Sequence, residues 1–98
     1  MTKELYDEVI TAFQNAGASM RCQQAKSLLG ELGFNVKDGR KGGHKVFTHP
    51  HLEGFTSGSL NCDHGRNPEI KKPYIKKIIK VLEKYENELV KYLEKRDG

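Results

Sequence analysis

Apolar residues at the start of the chain fall on one helical face. Leu5, Val9 and Phe13 recur every four positions with Tyr6 and Ile10 beside them, which predicts an amphipathic helix over 3–14. Asn15, Gly17 and Ser19 stop it. Ser19 is placed as the N-cap of a second helix over 20–32, whose stripe is Cys22, Ala25, Leu28, Leu29 and Leu32, and Gly33 supplies a left-handed stop. From Phe34 the period shortens to two. Residues 34–37 form a candidate strand, Gly39 to Gly43 a hairpin connection, and 44–48 a second strand ended by Pro50. On that second strand His44, Val46 and Thr48 share one face, and Lys45 and Phe47 the other. Residues 58–62 read as a third, weaker strand with few β-branched residues. After the turn at Asn67-Pro68, Pro73 opens one long helix. Ile75, Ile78, Ile79, Leu82, Tyr85, Leu89 and Leu93 carry it to about residue 94.

This order, helices flanking three short strands, predicts an α+β class. Ninety-eight residues with 36% hydrophobic and 31% charged positions suffice for one small domain with a single core. No apolar run approaches the ~18 residues of a membrane span, and the first residues lack the apolar stretch of a signal peptide, so a cytoplasmic setting is expected. Cys22 and Cys62 lie far apart and form no CxxC pair, so reduced thiols are expected rather than a disulfide scaffold.

Charge is unevenly placed. The net charge is +4, but residues 15–82 hold twelve cations against five acids while both ends are slightly acidic. A basic centre fits a polyanionic partner, nucleic acid above all; a solvated charged surface is the plainer reading of the same numbers.

Within that basic centre, the run from Gly39 through Arg40, Lys41, Gly42, Gly43, His44 and Lys45 is the most chemically pointed segment. Glycines let backbone N–H groups approach an anion, cations neutralise it, and an imidazole moves a proton near neutral pH. RNA is cleaved without a metal when its 2′-OH is deprotonated, attacks the adjacent phosphate, and the charge that develops is stabilised. His44 is the candidate base or acid. Arg40, Lys41 and Lys45, with the amides of Gly42 and Gly43, are the candidate phosphate-stabilising groups, and Lys72 and Lys76 of the last helix join them as candidate RNA contacts. His49 is a candidate second acid, although an ideal strand points it away from His44. Phe47 and Tyr74 sit on apolar periodic positions and read as core.

Leu32-Gly33-Phe34, then Lys41-Gly42-Gly43-His44-Lys45-Val46-Phe47-Thr48-His49-Pro50, then Lys72-Pro73-Tyr74 opening the last helix, together resemble the HicA family of toxin mRNA interferases, in its longer form with an extra N-terminal helix. The resemblance covers about residues 20–85, leaving 1–19 as a helical extension and 86–98 as a helical tail of the same domain. It implies a fold like a double-stranded-RNA-binding domain, with a three-stranded antiparallel sheet packed against helices. It also implies endoribonuclease activity on mRNA with His44 as the catalytic residue, no cofactor, and neutralisation by a HicB-like antitoxin. The loop departs from the family's Gly-Ser-His-His: Gly43 stands for the serine, which removes a hydroxyl, and Lys45 for the second histidine.

Two other classes stay open on the sequence. One is a catalytically silent RNA-binding domain on the same fold, which the two departures favour. The other is a small zinc-stabilised module, since His49-Pro50-His51 and Cys62-Asp63-His64 together could supply four zinc ligands, at a spacing tighter than that of common structural zinc sites.

Overall fold

A computed structural model describes residues 2–39 and 42–97. The chain runs α1 (Thr2–Gln14), β1 (Ser19–Arg21), α2 (Cys22–Glu31), β2 (Asn35–Asp38), β3 (His44–Thr48), β4 (Gly58–Asn61), β5 (Glu69–Lys71), α3 (Lys72–Lys84) and α4 (Glu86–Asp97). It is an α+β fold. Strands β2, β3 and β4 form an antiparallel sheet in that order, and β1 and β5 pair separately as a two-stranded ribbon.

The periodic apolar positions become the core. Tyr6, Val9, Ile10 and Phe13 of α1 join Cys22, Ala25 and Leu29 of α2, Ile75, Ile78 and Leu82 of α3, and Leu89 and Leu93 of α4 in one buried cluster. Phe47 and Leu60 enter it from the inner face of the sheet, and Phe34, Phe47 and Phe55 meet one another at 5.7–5.9 Å between ring centroids. Such edge and offset contacts add to the apolar burial itself. No helix among the described residues is long and apolar enough to cross a membrane.

Three features depart from the sequence reading. Ser19 does not cap α2: it lies in β1 opposite Lys71, and Arg21 precedes the helix without a side-chain cap. The ribbon itself was not expected; Met20 pairs with Ile70, and both are buried. The single long helix over 73–94 is two helices, broken at Tyr85. At such a break the carbonyls of the last turn lose their intrahelical donors. The buried hydroxyl of Tyr6 replaces one of them, donating to the Leu82 carbonyl at 2.8 Å, and its surroundings push the phenol pKa up to about 12, burial first among the causes. After the break α4 packs against α1, and a surface ion pair at 3.1 Å joins Lys3 to Glu86.

Gly33 does stop α2 as expected, at φ +92°. A Cβ there would also collide with the Tyr92 ring, so position 33 needs glycine for conformation and for space.

Candidate active site on the open sheet face

The antiparallel register fixes which side chains share the outer face of the three-stranded sheet. His44 pairs with Asn61, Val46 with Lys37 and Ser59, and Thr48 with Asn35. Alternation then puts Lys45, Phe47 and Leu60 on the inner face. None of the outer-face residues is buried, so this face is open.

His44 stands at its corner, half-buried, where β3 leaves the glycine hairpin. The hairpin is closed by the Gly39 N–H donating to the His44 carbonyl at 2.8 Å, and the imidazole lies where a Cβ on Gly39 would otherwise project. His44 Nδ1 lies 3.0 Å from Asn61 Oδ1, and Asn61 Nδ2 donates to the Tyr74 hydroxyl at 2.7 Å. An amide oxygen only accepts, so this contact makes Nδ1 the protonated nitrogen and leaves the lone pair on Nε2. Among the described residues Nε2 has no hydrogen-bond partner. Such an arrangement can orient a general base, with one nitrogen held and the other left without a partner among the described residues. Asn61 also retains its hydrogen bond when the ring becomes an imidazolium.

The remaining sequence candidates are dispersed. Arg40 and Lys41 lie outside the described residues. Gly42 is exposed at φ +31°, and Gly43 is packed so closely that a Cβ on it would overlap the Cys62 carbonyl oxygen; Cys62 N–H in turn donates to the Gly43 carbonyl at 2.7 Å. Position 43 therefore admits glycine alone, and the absent serine is a steric requirement of this hairpin. Lys45 is on the inner face, away from His44, and forms an ion pair with Asp38. That hydrogen-bonded ammonium holds the Asp38 carboxyl below its ordinary range, with Lys26 adding to the effect. Lys72 and Lys76 are exposed on α3. Lys77, one turn along from Tyr74, sits 5.3 Å from that ring.

His49 is in the core, 5% exposed, and both of its nitrogens are used: Nε2 donates to the Leu32 carbonyl at 2.9 Å, and Nδ1 accepts the His51 backbone N–H at 3.1 Å. The structure does not bring it to His44. Burial lowers its pKa below the ordinary 6.5, the Leu32 carbonyl opposing and the neighbouring His51 charge adding. The unfolded chain therefore binds the proton more tightly, so the stability contributed by neutral His49 is present above about pH 6.5 and is lost as pH falls through the lowered folded value. Urea unfolding is expected to show a lower midpoint at pH 5.0 than at pH 7.5, with a smaller gap in His49→Gln; an equal gap in both proteins would remove His49 as the cause.

Cys22 and Cys62 form a disulfide, with Cα atoms 5.7 Å apart, which corrects the expectation of reduced thiols. It fastens the start of α2 to the end of β4, next to Asn61. The zinc reading loses its ligands here: the Cys62 sulfur is bonded to Cys22 and His49 is committed to backbone partners. Among the described residues no three His, Cys, Asp or Glu side chains converge as a metal site would need.

Sequence reasoning missed Asn61, Tyr74 and Lys37. Asn61 follows from the strand pairing alone, since whatever ends β4 opposite His44 can meet its ring. Tyr74 sits on an apolar position as expected, but only its ring is packed, and its hydroxyl reaches out to Asn61.

The chain thus presents an α+β fold with an oriented, accessible histidine on an open antiparallel sheet. It matches no family model, no curated protein and no solved structure.

Proposed function

We propose that the protein is a metal-independent endoribonuclease of the HicA toxin type, acting on mRNA in the cytoplasm, with a fold of the double-stranded-RNA-binding kind. The observation that carries this reading is His44 on the open sheet face, held at Nδ1 by Asn61 with Nε2 left without a partner among the described residues. In the proposed reaction Nε2 takes the proton of a ribose 2′-OH. The 2′-oxygen attacks the adjacent phosphorus, the bond from phosphorus to the 5′-oxygen breaks, and the leaving oxygen receives a proton from water or from the imidazolium in a later step. The products are a 2′,3′-cyclic phosphate and a 5′-hydroxyl. Asn61 steadies the imidazolium, Lys37 on the same face supplies positive charge for the phosphate, and the exposed Lys72 and Lys76 of α3 add positive charge for the RNA backbone. A HicB-like antitoxin would silence the protein by covering the His44 hairpin.

Purified protein is expected to cleave single-stranded RNA in EDTA and to leave cyclic-phosphate ends. Complete loss of activity in chelator would remove the mechanism. Gly43 and Lys45, which stand where the family has a serine and a second histidine, favour a second reading, a silent RNA-binding domain. RNA affinity without cleavage would establish that one instead.

A further inference from the structure

At the opposite end of β3 from His44, the 50–54 segment and α4 enclose an open cleft of about 800 Å³. Its walls carry His51 and Tyr92, three cations (Lys91, Lys95 and Arg96), and the carboxylates of Glu53 and Glu88. We propose that this cleft is a stacking subsite for one unpaired base of single-stranded RNA, with the exposed imidazole of His51 as its platform. The proposal rests on the RNA-directed reading above and adds where a flanking nucleotide is held.

An exposed ring is firmly fixed here. His51 is solvent-exposed, in a connection between strands where a side chain ordinarily has no defined position. Its backbone N–H is held by buried His49, and its ring lies on Tyr92 at 5.1 Å between centroids and 28° between planes. Tyr92 is fixed in turn by the edge of His49 at 4.8 Å and by the gap left at Gly33. The Arg96 guanidinium sits 5.7 Å from the Tyr92 ring and donates to the Glu31 carbonyl at 3.1 Å. Three separate segments therefore hold one accessible aromatic surface in place, which lowers the ordering cost a ligand must meet.

Charge does not explain the cleft, because its three cations face two carboxylates. A flat π-surface in a nearly balanced setting suits a base better than it suits a phosphate, and stacking of unpaired bases on aromatic and histidine rings is a general mode of single-strand recognition. The five residues of β3 span about 13 Å, so the base held here belongs to a nucleotide flanking the one cleaved.

The test is fluorescence anisotropy of the full chain with a labelled ten-nucleotide 2′-O-methyl RNA, which has no free 2′-OH and is not cleaved. His51→Ala is expected to weaken binding about tenfold, His51→Phe to restore it, and an oligomer of the same backbone without bases to bind wild type and His51→Ala alike. Equal affinity of wild type and His51→Ala for the full oligomer would overturn the subsite while leaving the ribonuclease reading standing. An equal loss on the baseless backbone would also overturn it, by making the contribution one of charge. If the wild type binds no oligomer, both readings fall.

Discussion

Replacing His44 with alanine is expected to abolish RNA cleavage while leaving the fold and the affinity for RNA close to those of the wild type. The ring is half-buried on the open face, and its one hydrogen bond is to a side chain that is itself exposed, so its removal leaves no buried polar group unsatisfied. His49 is committed to Leu32 and His51, and Lys45 is on the other face of the sheet. Loss of a general base typically costs a factor of about 10²–10⁴. In a bacterial host the wild type is expected to arrest growth and deplete mRNA, and His44→Ala to do neither. Equal and harmless expression of both would withdraw the ribonuclease proposal.

Removal of the Cys22–Cys62 bond is expected to have the largest effect on stability. The bond closes a loop across a sequence separation of 40, for which the chain-entropy account gives about 4 kcal/mol. A domain of this size is stable by about 5–15 kcal/mol in total, so the loss is a large share, equivalent to about 20 °C in melting temperature. Urea unfolding in dithiothreitol, and of Cys22→Ala/Cys62→Ala, should show the same midpoint, lowered from that of the wild type without reductant. An unchanged midpoint, with both thiols proved free under reductant, would contradict the estimate. The bond also has a local task. Cys62 follows Asn61 and supports Gly43, so reduction frees the end of β4 that sets the amide against His44. In a reducing compartment the dithiol form is the one present, and assays of cleavage belong in both states.

Much of the fold was legible because burial leaves a period in the sequence. The stripe of α1, the change from 3.6 to 2 at Phe34, and the placing of His44, Val46 and Thr48 on one face all survive in the structure. What failed depended on partners distant in the chain. Strands β1 and β5 have three residues each, and nothing within Ser19-Met20-Arg21 foretells Glu69-Ile70-Lys71. The break at Tyr85 carries no glycine or proline, and Tyr85, Leu89 and Leu93 continue the helical spacing because both helices bury the same side of the pattern. Of the site, the histidine and its hairpin were visible in the residues themselves. Asn61 and Tyr74 were not, since an asparagine ending a weak strand and a tyrosine on an apolar stripe acquire meaning only when pairing and packing bring them together.

The return of α4 onto α1 bears on how the protein is made. Helix α1 packs on α2 but makes most of its contacts with α3 and α4, some seventy to ninety positions later, and β1 waits for β5. Tyr6, Val9 and Phe13 thus remain only partly covered on the nascent chain until α3 and α4 have emerged, which delays closure of the domain and exposes unfinished chains to capture by chaperones. A polypeptide cut short before Glu86 would carry the complete His44 hairpin on a domain whose helix α1 has lost the part of its cover that α4 supplies.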